Sequence, residues 1–505
     1  MRWLFFLVVC YAFNATAQAA DWRQASSEHY VVYAKLEDSD LRALVQRMED
    51  FHRLLEVTLA PQNVPRRRAH IYLEQSAGKI SEKLRGDISG FAGSLPEMAF
   101  SYSQYRPGQD PQVRYYALHY AQTQLFLTNG FYRTNSVWVR DGVPAFFKTV
   151  QIGEDGEFLL GAPDARFDKR GELSPGFIEG MLSLERLPAH HAARLTYYLM
   201  AKQLAWVLLM NPENTPRLHR YFDAYNSGLP PAQAGDALGG LEPLRLAINA
   251  LRTADEEELA QALRPIALPE RPAKIETREM RPDEIDLIEL RIERLVGTRI
   301  ERTAKRLKRL ADRHPNSADV WYEYAAAEFT RVRRSAPGGD VLRGFGFSAG
   351  QITVVANPYS DRVALAAVRQ ALKLDPDHAA ANVLLAEIQL RRLVESDDGI
   401  EAADFDAVRE ALRPMAIEPE LYPLAAAVMF QSRIEEGVTP LPEELELLGR
   451  AFRANPAVRE LRYAYAVAMA RQGKGEEARV LLSSMLNDPV YREAAQRALA
   501  EMPGQ

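Results

Sequence analysis

Cysteine is almost missing from this chain of 505 residues: Cys10 is the only one. Because it falls within the first twenty residues, everything after it must fold without disulfides or thiolate metal sites. Stability has to come from packed cores, which segments of more than about 200 residues can supply. Past the N-terminus there is also no apolar run near the roughly 20 residues that a membrane helix requires. Charge of one sign is scarce too. A formal net charge of -6 is small for this length and gives no reason to expect nucleic acid as the main partner. The chain has no GxSxG, phosphate loop, EF-hand loop or dinucleotide fingerprint. With 47% apolar and 26% charged residues, it reads as globular rather than disordered.

The first nineteen residues have the layout of a secretory signal peptide. Arg2 supplies a positive start, Leu4 to Phe13 an apolar core, and Ala17-Gln18-Ala19 a small-residue cleavage site. Cys10 follows Val8-Val9 rather than a small residue, which argues against lipidation. The expectation is export to the periplasm or beyond, with no stable membrane anchor once 1–19 is removed.

Beyond this leader two regions differ in pattern. Residues 20–262 mix strand-like and helix-like stretches, the composition of an α+β domain. His29-Tyr30-Val31-Val32-Tyr33, Ala69 to Leu73 and Met98 to Tyr102 read as strands. Asp38-Ser39-Asp40 signals the start of a helix whose apolar positions run from Leu41 to Leu55. Further helices are expected over Gln112 to Leu127, Val137 to Val150 and Leu195 to Leu209. Residues 263–284 are rich in proline and charge and read as a linker. Residues 285–505 read as helical almost throughout.

That last region repeats itself irregularly. Ala364, Val368 and Ala371 lead to Pro376, and similar spacings end at Pro315 and Pro456. Helices containing Trp321 and Tyr324, then Val383 to Ala386, then Tyr463 to Ala466 follow the three prolines. Insertions such as Ala336-Pro337-Gly338-Gly339 break the period. The pattern resembles the tetratricopeptide repeat, in which small residues let paired helices approach and a proline closes the second helix. The resemblance implies a groove that binds a protein or peptide segment, with Trp321 and Tyr324 as candidate contacts. An ordinary helical bundle would use the same alanines and leucines.

The stretch from Tyr116 to Phe147 carries the sharper signal. Trp138-Val139-Arg140-Asp141-Gly142-Val143-Pro144-Ala145-Phe146-Phe147 resembles the W-x-x-E-G-x-A-x-Y-F segment of the gluzincin metallopeptidases. In that family the glutamate is the third zinc ligand, and HExxH on the preceding helix supplies two histidines and a general base. Counting back from Asp141 by the family spacing aligns Leu118-His119-Tyr120-Ala121-Gln122 with HExxH. The resemblance thus implies a degenerate site. Leu118 and Gln122 replace the histidines, His119 replaces the base, and Asp141 shortens the glutamate. No metal or cofactor is expected there, and the domain reads as a pseudoenzyme. Gly90-Phe91-Ala92-Gly93 resembles the edge strand that holds substrate backbone in such enzymes, and Trp138 joins it as a candidate binding residue. An unrelated pair of core helices would also account for Leu118, Tyr120, Leu125 and Trp138. The rival reading is a hydrolase whose metal site is rebuilt from His119, Asp141 and a histidine of the pair His190-His191. Arg66-Arg67-Arg68 reads as a solvated loop, and the basic run from Arg299 to Arg313 as a solvated helix face.

Overall fold

The computed structural model describes residues 21–61, 67–76, 78–79, 90–131, 136–153, 155–162, 172–174, 176–184, 187–188, 190–297, 299–335, 358–395, 401–488 and 491–502. The leader 1–19 and the insertion at 336–339 lie outside these residues. Strands β1 (Trp22–Ser26), β2 (Tyr30–Lys35), β3 (Ala69–Glu74), β4 (Gly90–Ser94) and β5 (Ala99–Gln104) belong to the main sheet. Three short strands, β6 (Gln151–Ile152), β7 (Phe158–Leu160) and β8 (Arg264–Ile266), form a second sheet. The last strand, β9 (Glu276–Glu279), joins the first sheet, whose order is β4-β5-β3-β2-β1-β9.

β2, β3 and β5 run parallel, an arrangement that requires cover on both faces. Because side chains alternate along a strand, each strand feeds two cores. Tyr30, Val32, Ala34, Ile71 and Leu73 meet Leu41, Leu44, Val45 and Met48 of helix α1 (Asp38–Leu59) on one face. Val31, Tyr33, Tyr72, Phe100 and Tyr102 point the other way. The expected strands and the helix at Asp38 are therefore present. Gly90–Ser94 is a separate strand, antiparallel to β5 at the sheet edge.

Helices α2 (Tyr116–Asn129), α3 (Val137–Phe147), α4 (His191–Leu209), α5 (Thr215–Asn226) and α6 (Leu241–Thr253) follow the sheet. They share a large core with the end of α1, in which Phe51, Leu55, Phe126, Trp138, Phe147, Leu204 and Tyr221 are buried.

The stretch expected to be a linker is instead built into the fold. Arg264–Ile266 pairs with β7, and Glu276–Glu279 pairs with β1, aligning Thr277 with Ala25. Arg42 of α1 holds this segment by donating to the Ile275 carbonyl at 2.7 Å and to the Thr277 hydroxyl at 2.6 Å. Pro282 then starts helix α7 (Pro282–Val296), as a proline at the first helical position can. Ile288, Ile292 and Leu295 of α7 cover the sheet face that α1 leaves open. A boundary at 285 falls inside α7, because the sheet is sealed on that side by a helix from the far end of the proline-rich stretch. Arg67 is likewise no solvated loop residue: it is half-buried and donates to the Leu95 and Pro96 carbonyls.

From α7 onward the described residues are mostly helical. The helices are α8 (Ile300–Arg313), α9 (Ala318–Ser335), α10 (Pro358–Leu374), α11 (Ala379–Val394), α12 (Ala402–Ala416), α13 (Pro423–Glu436), α14 (Pro442–Ala454), α15 (Arg459–Arg471), α16 (Gly475–Ser483) and α17 (Arg492–Glu501). Each packs on the next, and α7, α9, α11, α13 and α15 also touch in succession. Fully buried alanines, among them Ala325, Ala327, Ala364, Ala371, Ala386, Ala427 and Ala464, let the backbones approach. The end of the array returns to the first helical core, where the Asn487 amide donates to the carbonyls of Tyr225 and Leu229 at 2.8 and 3.1 Å. Among the described residues no helix is long and apolar enough to cross a membrane.

Candidate functional site

Helix α2 carries no Asp, Glu, Lys or Arg and is buried along much of its length. Leu118 is fully buried in the sheet-side core with Ile71, Leu73 and Leu125. Gln122, one turn later on the same face, donates from its amide to the Met48 carbonyl at 3.2 Å and lies beside the Tyr30 hydroxyl. This face of α2 therefore looks toward α1 and the sheet.

His119 is only 1% exposed. Its ring stacks on Phe51 at 3.9 Å with the planes 5° apart, and Tyr115 lies at 5.4 Å. Among the described residues neither ring nitrogen has a hydrogen-bond partner. Burial, reinforced by the nearby Arg47 cation, pushes its pKa well below the usual histidine range, with the Lys148 backbone pulling weakly the other way. The ring is thus held neutral in an aromatic slot.

Asp141 is reached from a different side. The Tyr120 hydroxyl donates to its Oδ1 at 3.1 Å, and Arg140 comes within 3.7 Å of Oδ2. Burial raises the carboxyl above the usual range, while Arg140 and Tyr120 pull it down. Tyr120 is two residues past Leu118, a rotation of about 200° around the helix. The positions aligned with the two histidine ligands thus face α1 and the sheet, and the position aligned with the glutamate faces Tyr120. His119 stacks on Phe51 and Tyr115, whereas Asp141 is met by Tyr120 and Arg140. His190 is exposed at the start of α4, and the side chain of His191 lies outside the described residues.

The rest of the Trp138–Phe147 segment has a packing explanation. Trp138 is 1% exposed and meets Tyr221 edge-on at 5.3 Å, so it presents no binding surface. Phe146 and Phe147 are fully buried. Gly142 sits where α4 crosses α3: a Cβ there would lie 2.4 Å from the Ala201 carbonyl oxygen, a clash no side chain tolerates.

The other candidate binding residues are placed as follows. Gly90, Phe91, Ala92 and Gly93 are half-buried on edge strand β4. Phe91 packs against Phe100 at 5.8 Å, and Ser94 ties the strand to Asn129 of α2 at 3.1 Å. Trp321 is half-buried and donates from Nε1 to the Pro315 carbonyl at 3.0 Å, anchoring the turn before its helix. Tyr324 is in the helical core at 7% exposure.

Sequence reasoning passed over a polar cluster beside Gln122. His29 Nδ1 is 2.6 Å from Glu49 Oε2, and the His29 backbone N–H donates to Glu49 Oε1 at 3.0 Å. The Tyr30 hydroxyl lies 3.0 Å from His52 Nδ1. Burial opposes charge on both groups, but the His29 bond holds the Glu49 carboxyl down at about 2, and His29 is raised in turn. Glu49, His52 and Glu56 stand three and four residues apart, on one face of α1, and that spacing was the available signal. What hid it is that His29 arrives from the turn ahead of β2, which only the sheet brings to α1.

Compared with known protein families, with curated proteins and with solved structures, the chain matches none.

Proposed function

We propose that this chain is an exported, non-catalytic binding protein. In this reading the N-terminal domain is a metallopeptidase-like scaffold without peptidase chemistry, and the helical array is a tetratricopeptide-like surface for a protein or peptide segment. The observation that carries the first half is the disposition of α2. Leu118 and Gln122 are committed to α1 and the sheet, His119 to an aromatic stack, and Asp141 to Tyr120. Metal-assisted hydrolysis needs ligands that converge on one point with a coordination position left open, and each of these four side chains is engaged by other partners instead. The second half is supported by the succession of α7, α9, α11, α13 and α15 along the array, the neighbour-to-neighbour packing that builds extended binding surfaces.

Two measurements on the chain without its leader test this reading. Incubation with a mixed peptide library and zinc is expected to give no cleavage above buffer, whereas cleavage abolished by Asp141→Ala would overturn it. Cross-linking in the exporting cell, read by mass spectrometry, is expected to join helices α8 to α16 to another exported protein. Cross-links confined to residues 21–262 would move the binding surface off the array.

A further inference from the structure

His29, His52 and Glu56 bring one ligand atom each within 4.8 Å of one another. They come from two elements, the turn before β2 and one face of α1. Each imidazole is engaged at Nδ1 by a different outer partner. Glu49 holds residue 29 at two points, through the ring at 2.6 Å and the backbone N–H at 3.0 Å. Tyr30 meets His52 Nδ1 at 3.0 Å. In the tautomer whose Nδ1–H donates to the Glu49 carboxylate or the Tyr30 oxygen, each ring presents Nε2 with its lone pair, the arrangement found behind metal-ligating histidines. His52 Nε2 lies 3.8 Å from Glu56 Oε1. That is too long for a hydrogen bond and close to the roughly 3.4 Å between two ligands of a tetrahedral zinc.

We infer that His29 Nε2, His52 Nε2 and a Glu56 carboxylate oxygen bind one divalent transition-metal ion of the zinc type, with Glu49 and Tyr30 orienting the two rings. Two imidazoles and one carboxylate suit zinc and its neighbours better than magnesium or calcium, which prefer all-oxygen sets. The histidine side chains are 12% and 8% exposed and Glu56 is 34% exposed. The ion would therefore sit at the surface end of the cluster, with water completing its shell. The imidazole ring centroids are 3.8 Å apart and the planes 15° from parallel, so binding must turn the rings out of their stack until both Nε2 atoms face the ion. A purely structural ion pair between His29 and Glu49 would require neither His52 nor Glu56 at this place. The site is separate from the Asp141 position and stands whether or not the helical array binds a protein.

The test uses the full chain without its leader, stripped by a chelator and titrated with cobalt(II), then with zinc. One cobalt per chain is expected, with the visible absorption of a low-coordinate site that zinc displaces at one equivalent. Glu56→Gln should weaken zinc binding at least tenfold, Glu49→Gln by about ten- to a hundredfold, and Asp141→Asn not at all. His52 is buried and its variants carry a folding risk. Glu56→Gln tests the site without that risk. Absence of uptake, uptake insensitive to Glu56→Gln, or uptake lost with Asp141→Asn would each overturn the inference.

Discussion

Burying an imidazole without hydrogen-bond partners has a cost that depends on pH. His119 is such a case, stacked on Phe51 and Tyr115 with neither nitrogen paired among the described residues. In the unfolded chain a histidine takes up a proton near pH 6.5, whereas the folded protein holds His119 neutral to well below that value. Its contribution to stability is therefore complete above about pH 6.5 and declines as pH falls, by about 1.4 kcal/mol per pH unit until the folded pKa is reached. His119→Phe keeps the aromatic stack and removes the titration. Urea midpoints measured at pH 7 and pH 5 should fall less in this variant than in the parent, with stability at pH 7 equal or higher. Parallel declines would mean that His119 is not the group taking up the proton.

Helix α7 belongs to two cores at once. Ile288, Ile292 and Leu295 seal the sheet, while Leu287 and Leu290 begin the core of the helical array. On the same helix Arg291 and Arg294 converge on Glu323 of α9 at 2.6 and 2.5 Å, and Arg294 also reaches Glu97 between β4 and β5 at 2.9 Å. Burial alone would push the Glu323 carboxyl up, but Arg294 and Arg291 hold it below the usual range. Removing one member of a buried ion pair leaves an uncompensated charge, a loss of about 3–5 kcal/mol. Glu323→Gln should show a loss of that size in denaturant unfolding. A loss under about 1 kcal/mol would mean the cluster is solvated rather than buried. None of this was legible at the level of local pattern. Proline and charge between 263 and 284 look like a tether because strand β9 is too short and too polar to announce itself. Its place in the sheet is decided by its pairing with β1 and by Arg42.

On the scale of the whole molecule the helical array runs from the sheet at α7 and comes back to α5 at its other end. Asn487 makes the return contact through two hydrogen bonds to the carbonyls of Tyr225 and Leu229. Ser483 and Leu486 lie against Gly228, which adopts φ +89 and so has the conformational freedom the turn needs. Each hydrogen bond contributes about 1 kcal/mol, enough to shift local opening without unfolding either core. In Asn487→Ala, hydrogen exchange should speed up on both sides of the contact, over 215–229 and over 475–488, while α7 is unchanged. Faster exchange on the C-terminal side alone would mean that the two ends open independently.

The sequence by itself determined the elements whose signals are local. The β-rich run at β2, the helix from Asp38, the helices expected over Gln112 to Leu127, Val137 to Val150 and Leu195 to Leu209, and the helical character of the C-terminal portion follow from local composition and hydrophobic periodicity. It also placed Trp138, Gly142 and Phe147 in a special segment, although packing accounts for them: an aromatic core and a helix crossing too close for a Cβ. The tertiary structure alone decided which face of α2 turns inward, which strands close the sheet, and which charged groups meet. Leu118 and Tyr120, the partner of Asp141, are assigned to different surroundings by a rotation around one helix, which spacing arithmetic resolves only to the nearest residue. His29 and His52 are 23 residues apart in the chain and become neighbours only because β2 lies against α1. A site assembled from separate elements leaves half of its pattern in each, and only folding joins the halves.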